Sequence, residues 1–93
     1  MKVFWASSAE RDRLEIFDFI AKDNPLAAVE MDELFSASAD RLEAHPRIGR
    51  PGRIAGTREL VPHQSYRLVY VVKNDSVWIL ALVHTARMWP PRD

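Results

Sequence analysis

The sequence predicts an α+β fold of order β-α-α-β-β-β, with a helical hairpin packed on one face of a small, mainly antiparallel sheet. Two segments with helical spacing of apolar residues sit back to back in the first half. Three segments rich in aromatic and β-branched residues fill the second half, separated by turn-forming residues. The 93 residues are enough for one domain spanning 1–93, with one modest core.

Residues 2–6 (KVFWA) read as a short strand of bulky side chains. Ser7, with Glu10 three residues on, has the form of a capping box that opens a helix. Leu14, Phe17 and Ile20 recur at helical spacing, widened by Ile16 and Phe19, while Asp12, Glu15, Asp18 and Lys22 fall on the polar side. Pro25 stops this helix and starts the next, with Asn24 as its N-cap. Ala28, Met31, Phe35 and Leu42 carry the second stripe, with Leu34 beside it, as far as His45 and Pro46. So short a connection makes the two helices an antiparallel hairpin.

Residues 46–56 (PRIGRPGRIAG) hold all three glycines, two prolines and three arginines, and read as a turn-rich loop. Residues 57–62 (TRELVP), 66–72 (YRLVYVV) and 76–84 (SVWILALVH) are strands. KNDS at 73–76 supplies hairpin chemistry, and the last strand, apolar on both faces, belongs at the centre of the sheet. The tail from Arg87, with two prolines, is not expected to pair.

Charge is divided along the chain. Through His45 there are five basic and ten acidic residues, net −5; from Pro46 onward, eight basic and three acidic, net +5. Seven of those eight are arginines, whose planar forks suit phosphate or carboxylate partners. The absence of cysteine excludes disulfide and thiol chemistry and fits a cytoplasmic protein. The three histidines lack metal-ligand spacing and no phosphate-loop motif occurs, so no metal or cofactor is expected; nor is a signal peptide or a membrane span.

The candidate site is cationic. Arg58, Arg67 and Arg87 fall on or just after the three C-terminal strands, and their convergence on the face away from the helices would make an anion site. Alternation sets Arg67 opposite Tyr66 and Leu68; Arg67 either serves that site or pairs with Glu59 across the strands. His84 is the candidate proton-transfer residue. Arg47, Arg50 and Arg53 form a basic rim whose glycines would let backbone N–H groups approach a phosphate, and Trp89 is a candidate exposed aromatic that either anchors a partner or folds back onto the core.

Residues 46–61 (PRIGRPGRIAGTRELV), 65–80 (SYRLVYVVKNDSVWIL) and 82–90 (LVHTARMWP), in this order, resemble the RelE/ParE superfamily of toxins from type II toxin–antitoxin systems, across nearly the whole chain. The resemblance implies a growth-arresting toxin acting by ribosome-dependent, metal-independent mRNA cleavage, or alternatively a ParE-like inhibitor of DNA gyrase that acts by binding, with no nuclease activity. It implies a small antitoxin as partner, acidic where it covers the arginines. By the same resemblance Arg67 and Arg87 match basic active-site positions of the RNase members, and Arg58 falls where those carry a lysine. A second lysine of that strand is Leu60 here, and Met88, Trp89 and prolines follow where RNases carry a proton-transfer tyrosine or histidine. The segment His84-Thr85-Ala86-Arg87 is closer to ParE-type sequences.

Overall fold

The computed structural model describes residues 1–86. Strand β1 (Lys2–Trp5) leads into helix α1 (Ser7–Ala21) and then helix α2 (Pro25–Ala44). Four strands follow: β2 (Arg50–Pro51), β3 (Arg58–His63), β4 (Tyr66–Lys73) and β5 (Ser76–His84). They form one sheet of order β1-β5-β4-β3-β2, antiparallel except for the parallel pair β1–β5. The expected α+β arrangement is therefore present, with β5 flanked on both sides. The two-residue β2 lies inside the stretch read as a loop.

Local chemistry explains most boundaries. The Asn24 side chain accepts a hydrogen bond from the Ala27 N–H at 3.1 Å, with Pro25 in the first turn of α2. Asn74 and Asp75 adopt the left-handed region, at φ 50° and 61°, and close the two-residue β4–β5 hairpin. The capping box expected at Ser7 is not formed. Ala6 is the N-cap and its methyl group can accept no hydrogen bond; its N–H donates to Ile79 O at 2.8 Å, which fixes the strand–helix junction one residue before Ser7.

One core fills the space between hairpin and sheet. Phe35 and Leu42 of α2 and Ala9 of α1 pack on Tyr66, Leu68 and Tyr70 of β4 and on Val77, Ile79 and Leu82 of β5. Phe35 meets Tyr66 edge-on, with centroids 5.7 Å apart. The stripe read on α1 is only partly right. Ile16, Phe17 and Ile20 are half-buried, but Leu14 is 62% and Phe19 70% exposed. Ala9 is the residue that brings α1 close to the sheet, and its small side chain gave no apolar signal. Leu34 likewise stays exposed.

The key irregularity lies in β5. Arg67 to Val69 pair in register with Val83 to Ala81, but Tyr70 pairs with Ile79, so Leu80 is an extra residue. The bulge reverses the phase of β5. Val77 and Ile79 face the helices before it, and Leu82 does so after it. The start of α1 grips this bulge. Besides the Ala6–Ile79 bond, the Ser8 hydroxyl donates to Leu80 O at 2.8 Å, and Asp12 Oδ2 accepts the Leu82 N–H at 3.1 Å. Asp12, expected on the polar side, is thus half-buried and structural.

The hairpin is locked separately. Arg13 donates through Nε and Nη2 to the Asp32 carboxylate at 2.6 and 2.9 Å and through Nη2 to Ser36 Oγ at 2.7 Å. Its guanidinium lies 4.7 Å from the centroid of the Trp5 ring, so one arginine joins both helices to β1. Among the described residues no helix is long and apolar enough to cross a membrane.

Asp12→Ala would leave the Leu82 N–H without its acceptor at the bulge. It is expected to lower stability by about 1–3 kcal/mol, read by urea denaturation, with Asp12→Asn recovering much of the loss.

Candidate functional site

The basic residues gather at the β2–β3–β4 end of the sheet, but the sheet divides them between its faces. Cross-strand partners share a face, and Arg58 pairs with Tyr70 while Glu59 pairs with Val69. Tyr70 belongs to the core beneath the helices, whereas Val69 forms a second apolar cluster with Ala81 and Val83 on the far face. Arg58 therefore lies on the helix side of this edge and Arg67, between Tyr66 and Leu68, on the far side. The expected opposition of Arg67 to Tyr66 and Leu68 is present. The convergence of Arg58 with Arg67 on one face is not, because they sit on adjacent strands in opposite phase.

Arg58 is turned to the chain itself. Its Nη1 donates to Gly49 O at 2.8 Å and to Arg47 O at 3.3 Å, clamping the loop that enters β2. The glycines of that loop are likewise engaged. The Gly49 N–H donates to the buried Tyr70 hydroxyl oxygen at 2.9 Å, and the Gly52 N–H to Thr57 O at 2.8 Å. The phosphate cradle expected there is thus not formed at these two N–H groups. Gly49 is required by space: a Cβ would stand 2.7 Å from the Tyr70 hydroxyl oxygen and 2.8 Å from Glu59 O. Arg47, Arg50 and Arg53 remain exposed on this loop and strand.

On the far face the organising group is Glu59. Its side chain is 4% exposed, and Oε1 lies 3.5 Å from Arg67 Nη1 and 3.8 Å from Arg50 Nη2. The Arg67 side chain is 10% exposed and that of Arg50 65%. The Glu59–Arg67 pairing is thus realised, and one carboxylate links a buried arginine to an exposed one. Glu59 Oε2 is buried and has no hydrogen-bond partner among the described residues, a costly condition for a carboxylate. Opposite Arg67, β3 has its own bulge between Leu60 and His63, where Pro62 has no N–H to offer a ladder. How deeply Glu59 sits was not evident from TRELVP; its phase with Val69 was the available signal.

His84 pairs with Tyr66 and meets that ring edge-on at 5.4 Å, on the helix side of β5. Strict alternation from Trp78 would have set it on the far face with Arg67; the Leu80 bulge reverses this. Its Nδ1 accepts the Ala86 N–H at 3.1 Å. Arg87 and Trp89 lie outside the described residues. No cluster of His, Asp or Glu able to hold a metal ion occurs among the described residues.

A two-helix hairpin on a mixed five-stranded sheet, with arginines at one end, defines a small α+β protein, and known proteins share the fold. The chromosomal ParDE toxin–antitoxin system from P. aeruginosa contains a chain that superposes with a TM-score of 0.81 at 23% identity, over 90% of this chain and 95% of that one. The YoeB/ParE toxin from Agrobacterium tumefaciens gives 0.65 at 18% identity, over 90% and 98%. At these identities the likeness is one of fold. In sequence, the chain is 38% identical to Putative toxin Y4kP of Sinorhizobium fredii over 90 residues, covering 96% of this chain and 93% of that protein. It is 36% identical to Toxin RelE2 of Caulobacter vibrioides over 87 residues, covering 94% and 98%. The family model for the ParE toxin of type II toxin–antitoxin systems, parDE, matches residues 3–89. The chain belongs to this family: it is the toxin component of a type II toxin–antitoxin system, and its partner is an antitoxin.

Removing one member of the buried pair separates the two arginines. Glu59→Ala is expected to cost about 3 kcal/mol or more in chemical denaturation, because it strips a buried guanidinium of a carboxylate. Arg50→Ala, at the exposed end of the same carboxylate, is expected to change stability by less than about 1 kcal/mol.

Proposed function

We propose that this toxin arrests growth by binding DNA gyrase, without cutting RNA itself. The observation that carries the reading is the phase of the sheet. Cleavage by attack of an RNA 2′-OH needs charge stabilisation and proton transfer at a single phosphate. Here Arg67 faces one side of the sheet, while His84 and Arg58 face the other. A base acting through His84 Nε2 would need its proton on Nδ1, directed at the Ala86 N–H that Nδ1 now accepts. Arg58 is occupied with the carbonyl oxygens of Gly49 and Arg47.

Binding asks less of the same residues. Arg47, Arg50 and Arg53 stand exposed on an edge whose backbone is held by Arg58, Tyr70 and Thr57. Their forks are displayed from a braced support, which suits an anionic protein or protein–DNA surface. Membership of the ParE family supports the same reading. The antitoxin that neutralises the toxin is acidic where it crosses this edge, in keeping with the +5 balance of the C-terminal half.

The test pairs two assays on the same preparation. Purified toxin is expected to abolish supercoiling of relaxed plasmid by gyrase and to leave mRNA intact on translating ribosomes. Cut mRNA ends together with normal supercoiling would overturn the proposal. In the same framework His84→Ala keeps full growth arrest on induction, whereas a general base would lose about a hundredfold or more.

A further inference from the structure

The far face of the sheet has a second end, away from the arginines, which the gyrase reading does not use. Lys2 of β1 and Lys73 of β4 both pair with Ser76 of β5, so the three stand in one row across the sheet. Two residues along, about 7 Å further, the next row on the same face is Phe4, Trp78 and Val71. The Phe4 and Trp78 rings are stacked, with centroids 4.8 Å apart and planes 24° from parallel. Each residue is 39% exposed although both sit in paired strands. Among the described residues β1 is the edge of the sheet, and no strand lies beyond Phe4.

We infer that this row pair is a binding platform for single-stranded nucleic acid. Each ring covers one face of the other, and the outer face of the pair, open at Phe4 on the edge strand, offers a π-surface to an unpaired base; every base has one, so the platform is tolerant of sequence. The adjacent row supplies two ammonium groups at the distance of a neighbouring backbone phosphate; Asp75 stands at the hairpin tip, and Glu43 of α2, whose carbonyl oxygen accepts from the Met1 ammonium at 3.2 Å, adjoins the β1 edge. The acidic helices lie behind the opposite face of the sheet. Charge and stacking together fit a polyanion with exposed bases. The site stands apart from Arg50, Glu59 and Arg67, and it holds whether the toxin's target is gyrase or the ribosome.

The test uses full-length toxin and fluorescence anisotropy with a labelled twelve-nucleotide oligothymidylate, and a duplex of equal length as comparison, at about 50 mM salt. Single strands are expected to bind and the duplex to bind at least several-fold more weakly. Trp78→Leu keeps an apolar side chain but removes the ring, and is expected to weaken single-strand affinity about tenfold; Trp78→Phe retains most of it. Phe4→Leu, on the edge strand, gives the same loss and carries the test if Trp78→Leu melts early. Lys2→Gln with Lys73→Gln is expected to flatten the slope of log affinity against log salt by about 1.4. Equal binding of duplex and single strand, or full affinity in folded Trp78→Leu and Phe4→Leu, would overturn the proposal. So would absence of oligonucleotide binding by the free toxin when the ring pair becomes shielded in the complex with its co-expressed antitoxin, since the face would then belong to a protein partner.

Discussion

The extra residue at Leu80 is the constraint on which the rest of the structure depends. A strand has two faces and a period of two, so one inserted residue exchanges everything beyond it. In β5 that exchange sends Leu82 to the core and Val83 to the far face, beside Arg67. The bulge is held from outside the sheet by Ala6, Ser8 and Asp12 at the beginning of α1. The placement of the helical hairpin and the phase of the C-terminal strand are therefore one problem with one solution. A helix that shifted by a residue would lose its grip on the bulge, and a strand without the bulge would turn His84 away from Tyr66.

This also explains how far the sequence could be read. Helix ends were legible where a side chain makes them, at Asn24 and Pro25, and the hairpin turn was legible at Asn74 and Asp75, where two left-handed residues are required. Strand identity was legible from composition. The bulge was not, because Leu80 stands among Ile79, Ala81 and Leu82 and any of them reads equally well inward or outward. Everything that depended on phase beyond it was therefore open, including which side His84 takes. Arg58 and Arg67 were open for a related reason: pairing register across a two-residue turn and a β3 bulge decides their faces, and neither is written in a single strand. The buried depth of Ala9 and Glu59 shows the same limit from the other side, since a small residue and a charged one both escape a hydrophobic pattern.

The basic loop illustrates a division of labour between neighbouring arginines. Arg58 turns inward to hold carbonyl groups, and the loop it holds displays Arg47, Arg50 and Arg53. The Tyr70 hydroxyl, itself fully buried, accepts the Gly49 N–H, so the loop is tied to the core as well as to the edge. Such anchoring lowers the ordering cost of binding, which for flexible arginine side chains is a substantial part of the balance. Glu59 plays the matching role on the far face, where one carboxylate oxygen reaches both a buried and an exposed guanidinium.

The parallel pairing of β1 with β5 bears on when the sheet is completed. Val3 lies against Val77 and Trp5 against Ile79, so β1 finds its neighbour only in β5, the last strand among the described residues. Closing so long a loop is slow, and it waits until β5 has been made. While the chain is being translated it is a hairpin of helices with an unpaired strand and no complete sheet. The sheet, and with it the bulge that Ala6, Ser8 and Asp12 hold, is thus completed only once β5 is in place.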